Sequence, residues 1–385
     1  MTTTSTPTPP MNEWTNPPAE FDFRSDTFTA PTPSMLESLQ SASLGDDVYG
    51  ESTTTNRLCL RIAKLFDKPA ALFVLSGTMG NQLCLRALLQ QPPYSILCDH
   101  RAHIYRSEAG AAAVLSQAHI TPVVPRNGLH LTLEDVQEHA IISTNMHYAP
   151  TQVIFIENTL WSVIHPLSEF RRITRFAREN GIRVHLDGAR LWNACSVPGA
   201  PSLAEYAAEA DSVSVCVSKS LGAPVGGFVL GSQEMVTKCN HFKKLLGGGI
   251  RQAGVLTAMA DVAVTEVWER GRLQEANAYA QEVERLWKGL GGEVLLPVQT
   301  NTVWVDLEKR GVGEEVWRRV GKDMGVKLRG SRVMMHYQNS WRAVERLGDV
   351  MREVCRRADE KGAGPRDEEA AERAPAVGNP NLSKL

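Results

Sequence analysis

Short apolar runs alternate with longer amphipathic ones through most of this 385-residue chain. AALFVL (70–75) leads into MGNQLCLRALLQ (79–90), whose apolar residues recur at helical spacing. TQVIFIEN (151–158) leads into PLSEFRRITRFAREN (166–180), and IRVHLDG (182–188), SVSVCVS (212–218) and GGFVLGS (226–232) follow as strand-like runs. In SVSVCVS, Val213, Val215 and Val217 alternate with Ser214, Cys216 and Ser218, the period of two that belongs to a strand with unlike faces. Such alternation predicts an α/β domain on a mainly parallel sheet, with chemistry at the C-terminal ends of its strands. From about residue 292, GEVLLP, NTVWVDL and SRVMMHY read as strands among helices, which predicts a smaller α+β companion. The expected organisation is a disordered segment over 1–19, a large domain over 20–290 with an N-terminal arm (20–45), a small domain over 291–360 and a disordered tail over 361–385. Thr/Pro richness marks the first segment and charge with Pro and Gly marks the last.

Three features fall at predicted strand ends. Lys219 ends the SVSVCVS run and is followed by Gly222, Gly226 and Gly227, which allow a close-packed turn. Asp187 ends IRVHLD and precedes a glycine. LSGTMGNQ (75–82) runs from a strand through Ser76, Gly77 and Thr78 into a helix, exposing backbone N–H groups that suit a phosphate. Each alone reads as a strand end, a turn or a helix cap; together they make an ordered set of phosphate cradle, acid and lysine. Pyridoxal phosphate needs those three things: donors for its phosphate, a carboxylate to keep its pyridine nitrogen protonated, and an amine for a Schiff base.

Composition narrows the partners. Hydrophobic residues make up 43% and charged residues 22%, and 41 basic against 43 acidic residues leave a net charge of −2, so no field draws the chain to nucleic acid or anionic lipid. No apolar run is long enough to span a bilayer, and the first residues show neither a signal-peptide core nor transit character. Seven scattered cysteines form no Cys-x-x-Cys pair, which points to neither a disulfide framework nor a metal site. A reducing, cytoplasmic setting is expected.

FDFRSDTFTAPTPSML (21–36), GDDVYGESTTTNRL (45–58), FVLSGTMGNQ (73–82), HLDGARLWNA (185–194), VSKSLGAPVGG (217–227) and GGGIRQAG (247–254) resemble, in order, the motifs of the L-threonine aldolase family. These are pyridoxal-phosphate enzymes of fold type I, the aspartate-aminotransferase-like fold, and the resemblance spans roughly residues 21 to 340. It implies that Lys219 carries the cofactor and that Asp187 pairs with the pyridine nitrogen. Ser76, Gly77 and Thr78 would bind phosphate. His103, in DHRAHIYRSEAGAA (99–112), is similar to the histidine that stacks on the ring and takes part in catalysis. Arg190 matches the family arginine near cofactor and substrate, and Ser25 and Arg332 match positions that hold the substrate carboxylate. Arg251 resembles a residue reaching the phosphate of a neighbouring subunit, which implies a homo-oligomer, a dimer or tetramer.

The implied reaction is retro-aldol cleavage of L-threonine-type β-hydroxy-α-amino acids to glycine and an aldehyde. One position departs from the pattern. Many members carry a histidine after Glu-Asn-Thr, and some fungal relatives carry leucine with a histidine beside it; here IENTLWSVIHP (156–166) has Leu160 and Trp161. Leucine cannot take a proton from a β-hydroxyl. A bound water, His103 and His165 are candidates for that role. The departure also opens alanine racemisation, an activity of some fungal members, which needs no such base. A third reading is a catalytically inactive, pyridoxal-binding scaffold.

Overall fold

A computed structural model describes residues 18–362. Of the two segments expected to be disordered, residues 1–17 and 363–385 lie outside the described residues.

Seven strands form the large sheet: β1 (Ala70–Val74), β2 (Ser95–Asp99), β3 (His119–Val123), β4 (Thr151–Glu157), β5 (Arg183–Asp187), β6 (Ser212–Cys216) and β7 (Gly227–Gly231). Their order is β1-β7-β6-β5-β4-β2-β3. β7 runs antiparallel to both neighbours, and the block from β6 to β3 is parallel, as the alternating pattern predicts. β2, β6 and β7 are buried along their whole length because helices cover both faces of the sheet. The helix Leu167–Glu179 shows how: Phe170, Ile173 and Ala177 share one stripe that packs into the main core.

The serine face of β6 therefore does not meet water. Ser212 and Ser214 are buried and make hydrogen bonds below the site. Two glycines shape the same edge. A Cβ on Gly77 would come within 2.7 Å of Cys216 Sγ, so the helix Gly77–Leu88 can start flush against the end of β6 only with glycine there. Gly226 turns the chain at a φ of +103° against the Phe73 ring.

A second core, built around Trp287, Trp317, Val303, Val333 and Met351, surrounds a two-stranded antiparallel sheet of β8 (Thr302–Trp304) and β9 (Arg332–Met334). GEVLLP, read as a strand, contributes only an isolated bridge between Val294 and Val305. The helix Arg272–Gly289 gives Ala276, Tyr279, Ala280, Val283 and Trp287 to this core. The N-terminal arm joins it as well: Phe23 is buried there, its N–H donates to Lys327 O at 3.0 Å and its carbonyl accepts from Met334 N at 2.9 Å. No helix among the described residues is long and apolar enough to cross a membrane, and all seven cysteines are free.

Candidate active site

Parallel pairing brings the acids together. Glu157 at the end of β4 lies in register with Asp187 at the end of β5, and two backbone bonds, Asn158 N to Asp187 O (2.9 Å) and Gly188 N to Ser214 O (2.7 Å), lock these strand ends side by side. Lys219 sits three residues beyond β6 on a turn closed by Gly222 N to Lys219 O at 2.8 Å and Ala223 N to Val217 O at 3.0 Å. The lysine is half-buried, and its Nζ makes no hydrogen bond or ion pair among the described residues.

Beneath Asp187 runs a closed polar network. Asp187 Oδ1 accepts from Ala189 N at 3.0 Å and Oδ2 from Asn81 Nδ2 at 2.8 Å. The same Asn81 nitrogen donates to Glu108 Oε1 at 2.8 Å, and Gln82 Nε2 donates to Glu108 Oε2 at 2.6 Å. Glu108 in turn accepts from His103 Nδ1 at 2.8 Å. That bond, the largest influence on the ring, raises the His103 pKa and keeps the imidazole protonated above its ordinary range. Asn81 Oδ1 accepts from Ser214 Oγ (2.6 Å) and from His185 Nε2 (3.1 Å). Burial lowers the His185 pKa to about 4, so the ring is neutral and its Nδ1 accepts from Ser212 Oγ at 2.7 Å. Glu157 accepts from the His103 N–H at 2.8 Å; burial first, and then the Asp187 charge, push its pKa up to about 7.

A second cluster flanks Lys219. Asp26, with 0% exposure, receives Arg190 through two bonds, Nε to Oδ2 at 2.8 Å and Nη2 to Oδ1 at 2.7 Å. Ser220 Oγ donates to Asp26 Oδ2 at 2.6 Å. Burial alone would raise the Asp26 pKa, but the guanidinium and this hydroxyl hold it well below the usual carboxylate range. Arg332 donates from Nη2 to the Arg24 carbonyl at 3.2 Å and forms no ion pair among the described residues. Burial, then the nearby Arg190 charge, lower its pKa. Ser25, buried beside them, accepts from Thr27 N at 3.3 Å and Thr27 Oγ1 at 3.0 Å.

The third edge is open. Ser76 caps the helix Gly77–Leu88 by accepting from Met79 N at 3.1 Å, which leaves the Gly77 and Thr78 N–H groups without an acceptor among the described residues. Arg251 has a side chain 57% exposed and pairs with Asp46 at 2.8 Å; among the described residues no bond carries it into the cluster around Asp187 and Lys219. Its loop nevertheless lies against the cradle, because Gly248 packs on Met79.

The departing segment forms a tight hairpin. Leu160 and Val163 exchange backbone bonds of 3.1 and 3.0 Å, with Trp161 (φ +51°) and Ser162 (φ +75°) at the corner. Leu160 is buried, and Trp161 stacks on Trp304 with ring centroids 5.1 Å apart. His165 does not fill the vacated role: its Nε2 donates to Leu131 O at 3.0 Å, and burial followed by the His130 charge lowers its pKa to about 3.

Sequence reading missed Asp26, Asn81, Glu108, Glu157 and Ser220. Each lies inside or next to a motif already singled out, but its partners are distant along the chain.

The beta-eliminating lyase family model matches residues 22–310. The chain belongs to that family. Within it, the chain is 45% identical over 337 residues to the low-specificity L-threonine aldolase of Eremothecium gossypii, covering 87% of this chain and 88% of that protein. It is 38% identical over 344 residues to alanine racemase TOXG of Cochliobolus carbonum, covering 88% of each. The fold is that of the Leishmania major threonine aldolase structure, with a TM-score of 0.75 at 18% identity over 87% of this chain and 99% of that one.

As a beta-eliminating lyase with this fold, the chain is a pyridoxal-phosphate enzyme, and its residues suit that group. Asp187 is a buried carboxylate, Lys219 an amine with no hydrogen-bond or ion-pair partner among the described residues, and the Gly77 and Thr78 N–H groups, also without an acceptor among those residues, open a helix N-terminus that suits an anion.

Proposed function

We propose that this protein is an aldolase that cleaves or forms L-threonine- and L-allo-threonine-type β-hydroxy-α-amino acids, with glycine and an aldehyde as products. The observation that carries the reading is Lys219 and Asp187 at one sheet edge, with His103 tied to the same floor through Glu108 and Asn81. Pyridoxal phosphate, when bound, supplies the electron sink for the bond broken at Cα. Lys219 would hold it covalently and would move the proton at the substrate Cα. Asp187, fixed by Asn81 and Ala189 N, keeps the pyridine nitrogen protonated. His103 would stack on the ring, oriented by Glu108, whose hydrogen bond raises the imidazole pKa. Ser76, Gly77 and Thr78 hold the phosphate. Ser25, Arg190 and Arg332 form the cationic, hydroxyl-bearing side that takes the substrate carboxylate.

Further parts of the reading concern the assembly. Residues 20–290 and 291–360 act as large and small domains, and the protein works as a homo-oligomer in which Arg251 serves a neighbouring copy. Exposed Leu44, Tyr49 and Leu245 near the Arg251 loop support that arrangement. Seven free cysteines suit a cytoplasmic setting.

Alanine racemisation is the second reading. It is favoured by Leu160 and Trp161 at the positions where a β-hydroxyl base would stand and by His165 being tied to a backbone carbonyl. Incubating the holoenzyme with L-threonine, L-allo-threonine, phenylserine and L-alanine decides the matter. Aldehyde and glycine are the expected products; D-alanine without aldehyde establishes the racemase, and no turnover with any of them leaves the scaffold.

A further inference from the structure

Asp26 is a carboxylate at 0% exposure where three parts of the molecule meet. It lies on the N-terminal arm. Its backbone N–H reaches Met334 Sδ of β9 at 3.1 Å, its carboxylate grips Arg190 just beyond β5, and it accepts from Ser220, the neighbour of Lys219. A surface role is excluded by burial, and a purely structural ion pair has no need of the additional hydroxyl beside the lysine. Two consequences follow from the geometry. The Nε–Nη2 edge of Arg190 is already occupied by a carboxylate, so that edge cannot receive a second one side-on. Among the described residues, half-buried Arg332 bonds only a backbone carbonyl, which leaves the rest of its fork without a partner there.

We propose that Asp26 is a positioning residue that fixes Arg190 and, through Ser220, the turn bearing Lys219, so that Arg190 meets the carboxylate of the amino-acid substrate end-on from its remaining Nη1 while Arg332 supplies the open guanidinium fork. This rests on the proposed pyridoxal-phosphate chemistry at Lys219. Lys219 is close enough to both Asp26 and Glu157 for its charge to act on each carboxylate. Removing the Asp26 charge leaves Glu157 and Asp187 as the anions on that side, with Arg190 no longer neutralised.

The test compares D26N, D26E and S220A with the unaltered holoenzyme, reading the pH midpoint of the visible absorption band of the bound cofactor, the KM for L-threonine and L-alanine, and the melting temperature of the cofactor-free chain. D26N is expected to move the absorption midpoint down by about one pH unit, since an anion near the amine is lost, and to raise KM about tenfold or more. D26E restores the midpoint but not KM, because the carboxylate is displaced by one methylene. S220A moves the midpoint by a smaller amount with KM nearly unchanged. A D26N protein that melts normally with midpoint and KM unaltered overturns the proposal. Should D26N fail to fold, S220A decides, and an unshifted midpoint there overturns it equally. If the unaltered protein takes up no cofactor and shows no visible band, the underlying chemical reading fails instead.

Discussion

The two sides of the site differ in how far one chain completes them. On the floor, Asp187, Asn81, Glu108, His103, Ser214 and His185 bond to one another, and nearly every polar atom has a partner within the same polypeptide. On the rim, Ser76 is exposed, the Gly77 and Thr78 N–H groups have no acceptor among the described residues, and Arg251 is exposed beside Asp46 and Tyr49. The floor is built for one fixed geometry, because a buried polar group left unpaired costs about 1–3 kcal/mol. The rim groups lie where water can serve them. The orientation of the Asp187 carboxylate and of the His103 ring is therefore a property of the single fold, whereas in our reading phosphate binding at the rim also draws on a neighbouring copy.

Substitutions can break that contrast. The largest effect is expected at the lysine on which both sides converge: Lys219→Ala should lower turnover about a thousandfold or more and abolish the visible absorption of the holoenzyme, read by steady-state assay and spectrum. Next is Asn81→Ala on the floor. It removes one partner from each of two buried carboxylates and leaves the Ser214 and His185 donors without an acceptor, and should cost about 2–5 kcal/mol in denaturant unfolding, with cofactor bound or not.

The pH response sharpens the same point. His185 and His165 have folded pKa values lowered to about 4 and about 3, so both are buried neutral and their contribution is complete above the unfolded value near 6.5. As pH falls below 6.5 the unfolded chain binds protons that the folded chain does not. Each histidine should then remove about 1.4 kcal/mol per pH unit, down to roughly pH 4 for His185 and pH 3 for His165, read as falling stability in denaturant titrations.

Glu108→Gln tests the floor more gently. It keeps the shape but removes the charge and hydrogen bond that raise the His103 pKa, which should fall in a histidine NMR titration, with the pH profile of activity following it. The smallest effect on the chain itself belongs to Arg251→Ala on the rim. Melting of the cofactor-free chain should be unchanged, while cofactor affinity weakens if Arg251 serves a neighbouring copy. A loss of melting temperature without any loss of affinity would assign it to the Asp46 pair alone.

Much of this was legible along the chain. Strand runs, the helix after Ser76, and Asp187 and Lys219 at strand ends follow from periodicity and turn chemistry, which are local properties. The serine face of β6 shows where local reading stops. Alternation marked it as polar, and only the covering helix Gly77–Leu88 turns that polarity inward, onto Asn81 and His185. Glu108 was visible five residues after His103, yet its role depends on Gln82 and Asn81, which are 26 and 27 residues away in sequence. Asp26 was passed over beside Ser25, since its partners Arg190 and Ser220 lie 164 and 194 residues further on.

The sequence by itself determined the α/β order and the placing of Asp187, Lys219 and the Ser76–Thr78 turn at strand ends, because each depends on spacing within a few residues; the departure at Leu160 and Trp161 was visible only through the family resemblance. Tertiary structure alone decided that Asn81 joins two carboxylates, that Asp26 occupies one edge of Arg190, and that His165 is tied to a backbone carbonyl. Those are pairings of buried polar groups. Their partners are selected by which strand ends and helices come together in space, and short-range pattern carries no record of that choice.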